Sequence, residues 1–294
     1  MASAERFTLR DGRAVAVHVL AEGSSGRTVV LCHAAPGSGL LDPDPEETRA
    51  RDITLIGVDR PGYGGSDPVP PDRWAGVDLA ADDLAEVLDQ MGSGGVGVAG
   101  WSAGGRVALA LAARRPDLVD RIVVLATPAP DDQVPWIPPE QRAGLDAMRD
   151  MPADRVHEML GAQLAALVPD QPSQALALLG TADADREALH RPGARDRLAA
   201  CLVEAFAQGA TGLAADIAGY CLRPWGFEPS QVAAKTLLLY GAKDTVAGPR
   251  HGKWYRRHLP DARFEQVPDV GHLLVVPKWR RTLSHLAPRG RRGP

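Results

Sequence analysis

The chain predicts an α/β fold: a mostly parallel central sheet with helices on both faces, into which an all-helical segment is inserted. Three observations carry this. Short, near-continuous apolar runs alternate with helical stretches in the first and last parts of the chain, the pattern of parallel strands covered on both sides. Between about 128 and 230 the strand pattern stops and helical periodicity replaces it. A length of 294 residues is enough for one large α/β domain carrying such an insertion.

The elements follow in order. "AVAVHVL" (14–20), "TVVLCHA" (28–34) and "ITLIGVD" (53–59) read as strands. "GVDLAADDLAEVLDQMG" (76–92) reads as a helix, with Val77, Leu79, Leu84, Val87 and Leu88 forming its apolar stripe. "VGVAG" (96–100) is a strand, "RVALALAARRPDLV" (106–119) a helix and "RIVVLAT" (121–127) a strand. Prolines at 128, 130, 135, 138 and 139 open the inserted block. Within it, Val156, Leu160, Leu164 and Leu167 share one helical stripe, and Leu198, Cys201, Leu202 and Phe206 another. "LRPWGFEP" (222–229) closes the block. Strand "KTLLLYG" (235–241), a helix near 249–258, strand "RFEQVPD" (263–269) and a final helix from about 274 complete the pattern. The expected division is a core of residues 1–127 and 231–294 with a helical cap, or lid, over 128–230.

Composition narrows the function. With 33 basic and 37 acidic side chains, the net charge is -4 and no long block carries one sign. That argues against a nucleic-acid or membrane-surface protein, and the basic "RGRRGP" at the end reads as a solvated tail. Cys32, Cys201 and Cys221 are scattered, with no CxxC or Cys/His spacing, so no disulfide framework or metal site is expected. "MASAERFTLRDGRAV" has no apolar signal-peptide core, and no apolar run approaches the ~18 residues that span a bilayer. The expectation is a cytoplasmic protein.

The chemistry centres on "GWSAGG" (100–105), a Gly-x-Ser-x-Gly element between a strand and a helix. That context strains the backbone of Ser102 and sets it at a helix N-terminus, where N–H groups and the dipole favour developing negative charge. A serine hydroxyl needs a base to take its proton, and the base needs an acid to orient it. Asp244, in "LLLYGAKDTV", lies just beyond a strand, and His272, in "FEQVPDVGHLLVV", follows the last strand. Both fall at the carboxyl edge of the sheet, as Ser102 does. The competing bases are His251, His258 and His285; the competing acids are Asp131 and Asp132. For an oxyanion, the turn "VVLCHAAPGSG" offers the backbone N–H of Ala35, to pair with that of Ala103. His33 organises that turn and, with Trp101 and Trp225 beside Phe227, is a candidate for the pocket wall.

These residues resemble the α/β-hydrolase superfamily over nearly the whole chain. "HAAPG" (33–37) is similar to its HGxPG oxyanion turn, with Ala34 in place of glycine, and "DRPGYGGSD" (59–67) matches a loop of many capped members. "GWSAGG", "GAKD" and "GH" stand in nucleophile, acid and base order. The resemblance implies a helical cap and no cofactor. Serine at the nucleophile position disfavours the haloalkane dehalogenase and epoxide hydrolase branches, which use aspartate. The expected activity is hydrolysis of a carboxylic ester, lactone or thioester through a Ser102 acyl-enzyme. C–C bond hydrolysis, perhydrolysis and a non-catalytic ligand-binding role are the alternatives. The expected partner is a small, largely uncharged acyl substrate, because the inserted block has no cluster of like charge; the chain itself is expected as a monomer or homodimer.

Overall fold

The computed structural model describes residues 4–169, 171–179 and 183–288. Among them, β1 (Glu5–Thr8), β2 (Ala14–Ala21), β3 (Thr28–Cys32), β4 (Thr54–Val58), β5 (Val96–Trp101), β6 (Val119–Leu125), β7 (Lys235–Gly241) and β8 (Ala262–Val267) form one sheet. The order across it is β1-β2-β4-β3-β5-β6-β7-β8. Strand β2 runs antiparallel to both neighbours, and every pairing from β4 to β8 is parallel. The chain steps from β3 outward to β4 and then returns to the other side of β3 for β5. Ligands bind at such a switch point in open α/β sheets, outside the carboxyl ends of the strands.

The helices are α1 (Pro45–Arg51), α2 (Val77–Gln90), α3 (Gly104–Arg114), α4 (Pro139–Met148), α5 (Ala153–Leu164), α6 (Pro172–Ala175), α7 (Arg186–His190), α8 (Ala194–Ala205), α9 (Thr211–Leu222), α10 (Pro249–His258) and α11 (Trp279–Leu286). Helices α4 to α9 all lie between β6 and β7, a stretch in which no strand occurs among the described residues. No helix is long and apolar enough to cross a membrane.

Alternation along the strands divides the core in two. Val30 and Cys32 of β3, with Ile122 and Val124 of β6, face the layer of α2, α3 and α10. Val29, Leu31, Val123 and Leu125 face the opposite layer, where α11 contributes Trp279, Leu283 and Leu286. This period of two is the geometry of a pleated strand, and burial on both sides explains why β3, β5 and β7 show no polar face. In α2, Val77, Ala80, Ala81, Leu84, Val87 and Leu88 are buried, the i, i+3, i+4, i+7 pattern of one helical stripe.

Some boundaries differ from the sequence reading. The final helix starts at Trp279, because residues 272–275 form a 3₁₀ turn and Pro277 follows it. Strand β1 and helix α1 go unread in the sequence: β1 has four residues, of which only Phe7 packs on the core, and α1 buries only Thr48. Helix α9 is buried nearly all round, so it has no stripe to read.

Leu109 of α3 is fully buried between helix and sheet. Its replacement by alanine is expected to cost about 2–5 kcal/mol of stability, by lost burial and a residual cavity. Urea denaturation checks this; an unchanged midpoint would refute the packing described.

Candidate active site

Three segments leaving the carboxyl ends of parallel strands meet at one point. Ser102 follows β5, Asp244 follows β7 and His272 follows β8. The Ser102 Oγ lies 3.1 Å from His272 Nε2, and His272 Nδ1 lies 2.9 Å from Asp244 Oδ2. The structure therefore brings together the hydroxyl, imidazole and carboxylate that the sequence singled out. In such a chain the imidazole can take the hydroxyl proton while the carboxylate holds its tautomer.

Local sequence forces this geometry. Ser102 has φ of 54°, in the left-handed region that non-glycine residues rarely occupy. Its N–H donates to Leu125 O at 2.8 Å, and its carbonyl accepts from Gly105 N at 3.1 Å. The turn is so tight that a Cβ on Gly104 would sit 2.1 Å from Cys32 O, and one on Gly100 would sit 2.4 Å from the Gly105 Cα. Glycine two residues either side of the serine is thus a steric requirement.

Asp244 is nearly inaccessible, and its Oδ1 accepts from the N–H groups of Val246 (2.8 Å) and Ala247 (2.9 Å). Burial alone would push its carboxyl up. The hydrogen bond and charge of His272, with those two N–H groups, outweigh burial and hold it below its ordinary value of 3.8.

The backbone of His272 is gripped from two sides. Trp101 Nε1 donates to the His272 carbonyl at 3.0 Å. The buried carboxylate of Asp185, from the segment between β6 and β7, accepts from His272 N at 3.2 Å and from Leu273 N at 2.8 Å. Burial pushes the Asp185 carboxyl up, against the opposing pull of those two N–H groups.

The turn at 33–37 is anchored in the same way. Arg60 donates to the carbonyls of His33 and, at 2.9 Å, Ala34, while pairing with Asp216 of α9 at 2.6 Å. The Tyr63 hydroxyl donates to the same Asp216 oxygen at 2.9 Å. The Ala34–Ala35 peptide is trans, so its C=O and N–H point in opposite directions. Fixing the Ala34 carbonyl on Arg60 therefore fixes the direction of the Ala35 N–H. The Ala103 N–H stands at the start of α3, where the first helical N–H groups have no intrahelical acceptor.

A chamber of about 320 Å³ opens over Ser102, with Ala35, Ala103, Trp101 and His272 in its wall. His33 is not in that wall, contrary to expectation. It is buried beneath the turn, with Nδ1 at 2.7 Å from Ala34 O and Nε2 accepting from Arg60 N at 3.2 Å. Burial and the nearby Arg60 charge hold it well below 6.5, which leaves it neutral for both roles. Trp225 also lies outside this wall. It stacks on Phe227, and both line a second, adjoining chamber of about 650 Å³.

The competitors are engaged elsewhere. His251 Nδ1 accepts from Ala129 N, His258 Nδ1 lies at Trp254 O, and His285 Nε2 lies at Lys235 O. Asp131 accepts from Trp136 N and Ile137 N and, with Asp132, lines the second chamber. Asp185, Arg60, Tyr63 and Asp216 escaped the sequence reading. Only Arg60 and Tyr63 carried a signal, through their place in "DRPGYGGSD".

A family model described as alpha/beta hydrolase fold matches residues 27–278. Pimeloyl-(acyl-carrier protein) methyl ester esterase of Chromobacterium violaceum is 28% identical over 262 residues, covering 84% of this chain and 87% of that protein. A solved hydrolase from Pseudomonas aeruginosa PA01 shares the fold with a TM-score of 0.73 at 21% identity, over 97% of this chain and 98% of its own. A thermophilic esterase from Thermogutta terrifontis does so with a TM-score of 0.70 at 22% identity, over 96% of each chain.

Two stability predictions follow from the carboxylates. Asp185→Ala strands two backbone N–H groups, each worth about 1–3 kcal/mol when left unsatisfied. Denaturation should show that loss, with Asp185→Asn intermediate and faster amide exchange at Leu273; a variant as stable as wild type would remove the tether. For Asp244, a carboxyl held low contributes stability that is full above 3.8 and is lost as pH falls through its depressed value. The stability difference between wild type and Asp244→Asn should therefore be largest near neutral pH and close in acid.

Proposed function

This chain belongs to the α/β-hydrolase fold family, and we propose that it hydrolyses carboxylic ester-type bonds through an acyl-enzyme on Ser102. The observation that carries the reading is the continuous chain from Ser102 Oγ through His272 to Asp244, at 3.1 and 2.9 Å. The bond type agrees with the Chromobacterium violaceum relative, a methyl ester esterase by name.

His272 Nε2 removes the Ser102 proton as Oγ attacks the acyl carbonyl, and Asp244 stabilises the imidazolium that results. The N–H groups of Ala35 and Ala103 receive the oxyanion; the loss of one such donor typically costs about 10²–10³ in rate. His272 then returns its proton to the leaving alcohol. Water, activated by the same imidazole, releases the acid and restores Ser102. Lactones and thioesters enter by the same route.

Residues 128–230 serve as the cap. Trp136, Ile137, Leu145, Leu213 and Ile217, all from this stretch, help to wall the chamber over Ser102. An apolar wall suits an acyl chain and keeps bulk water from the oxyanion, where low dielectric strengthens the donors.

Titration with a small neutral fluorophosphonate is expected to label wild type stoichiometrically and Ser102→Ala not at all. Hydrolysis of a short ester should fall about 10⁴-fold or more in Ser102→Ala, and about 10⁴-fold in Asp244→Asn, which leaves the imidazole in place but in the wrong tautomer. An unlabelled, folded wild-type protein, or an ester activity untouched by Ser102→Ala, would overturn the assignment.

A further inference from the structure

Three arginines are buried among the described residues: Arg13, Arg60 and Arg106. Arg13 pairs with Asp83 at 2.6 Å and Arg60 with Asp216 at 2.6 Å. Arg106, only 4% exposed, has no carboxylate at salt-bridge distance among those residues. Its Nε and Nη2 share one neutral acceptor, the Pro128 carbonyl, each at 3.3 Å, and the Tyr255 hydroxyl donates to that same oxygen at 3.0 Å. Trp225 lies 4.7 Å and Trp136 5.5 Å from its guanidinium carbon.

Taking a guanidinium out of water costs several kcal/mol unless an anion or a full set of acceptors compensates. Two long bonds to one carbonyl, with the Tyr255 hydroxyl beside them, supply neutral acceptors and no anion. Cation–π attraction to the two indoles offsets part of that cost without supplying a hydrogen-bond acceptor. The first two arginines illustrate the usual solution, an internal carboxylate, which the third lacks.

Its position shows where an anion would come from. Arg106 lies one helical turn beyond Ser102 and lines both the Ser102 chamber and the larger adjoining one. The two chambers also share Trp136, Ile137, Tyr220 and Cys221, so Arg106 stands where they join. We propose that Arg106 is an anion subsite that takes a carboxylate carried by the substrate, separated from the scissile ester by an apolar chain. The substrate class is the half-ester of a dicarboxylic acid. The inference rests on Ser102 being the nucleophile.

Several features select a monoanion. A planar guanidinium matches a carboxylate through two parallel hydrogen bonds. In the Ser102 chamber Arg106 is the one arginine or lysine in the wall, and Asp216 there is already paired with Arg60, so one negative charge is matched; in the adjoining chamber Arg142, Arg149 and Arg223 stand against Asp131, Asp132 and Glu228. This departs from the largely uncharged substrate expected from sequence. That expectation looked for clustered charge in the inserted block, whose Arg142, Arg149 and Arg223 line only the adjoining chamber; the cation in the wall over Ser102 comes from α3.

The test compares a homologous series of ω-carboxy esters with their ω-amide counterparts, which match in size and lack the charge. On Ser102→Ala, calorimetry is expected to show the best carboxylate binding at least about tenfold tighter than its amide, the scale of one charge-assisted hydrogen-bonded contact. On active enzyme, the kcat/KM ratio of the same pair should favour the carboxylate by a similar factor. The ratio should fall to near one in Arg106→Gln and recover in part in Arg106→Lys. Equal binding of every pair by Ser102→Ala overturns the subsite and leaves Arg106 a structural clamp on Pro128, even if the Arg106 variants do not fold. Fluorophosphonate labelling separates the two readings. A labelled enzyme with no carboxylate preference loses only this inference, whereas an unlabelled one that still prefers the carboxylate loses the serine assignment and the half-ester substrate with it, and keeps only the anion site at Arg106.

Discussion

The positive φ of Ser102 is the constraint on which the rest of the molecule depends. A left-handed backbone at a side-chain-bearing residue costs on the order of 1–3 kcal/mol and persists only where its surroundings over-determine it. Here the surroundings are the two parallel strands that flank β5. The Ser102 N–H is held by Leu125 at the end of β6, and the first turn of α3 closes on the end of β3 through Gly104. Such closeness requires glycine, and glycine there lets α3 dock directly on the sheet, where Val107, Leu109 and Leu111 bury their side chains. The strain at one residue is thus offset by packing spread along a whole helix.

A second consequence concerns the stretch between β6 and β7. It is anchored to the core through charge at the two places that matter for the chemistry. Asp216 of α9 holds Arg60, which fixes the peptide before Ala35, and Asp185 holds the backbone at His272 and Leu273. Both carboxylates are buried, so each contact acts at low dielectric and breaking either would leave a buried polar group alone. Helices α4 and α5, in contrast, bury few side chains: Met148 in the first, Ala153, Val156 and Leu160 in the second. Local opening draws on regions with little burial. Of the two, α4 lines the Ser102 chamber through Gln141 and Leu145, while α5 packs on α9 through Val156 and Leu160.

What was legible in the sequence follows from the same physics. Ser102 and Asp244 could be placed at the sheet edge because each sits just past a strand whose apolar run is unmistakable, and His272 because it follows the last strand, whose ARFEQV is far less apolar. Asp185 and Asp216 were not, because a carboxylate in a helical stretch looks like solvent-facing charge until the tertiary contact appears. His33 was placed in the pocket wall on proximity to the turn. Its ring nitrogens instead serve the backbone of Ala34 and Arg60, a division of labour that only the fold reveals. Trp225 was read as pocket because aromatics are few, and it lines the neighbouring chamber. Strand β1 was invisible because a four-residue edge strand with one apolar side chain, Phe7, is too short to show an alternation.

Arg106 escaped for a different reason, and it bears on how the fold holds a charge it does not neutralise. In "GGRVALALAA" an arginine in the first turn of an alanine-rich helix reads as the exposed face of an amphipathic element. Yet α3 is buried through nearly its whole length, so it has no exposed face at that position. The side chain must lie between the helix and the layer above it, among Trp136, Trp225 and the Pro128 carbonyl. Such surroundings hold the guanidinium in place without an anion, since aromatic faces attract the charge but leave its in-plane donors only partly used. A hydrophobic side chain of similar volume would fill this place at lower desolvation cost. A cation held there, beside Ser102 and with only neutral acceptors, is ordered in advance for a ligand that brings its own negative charge.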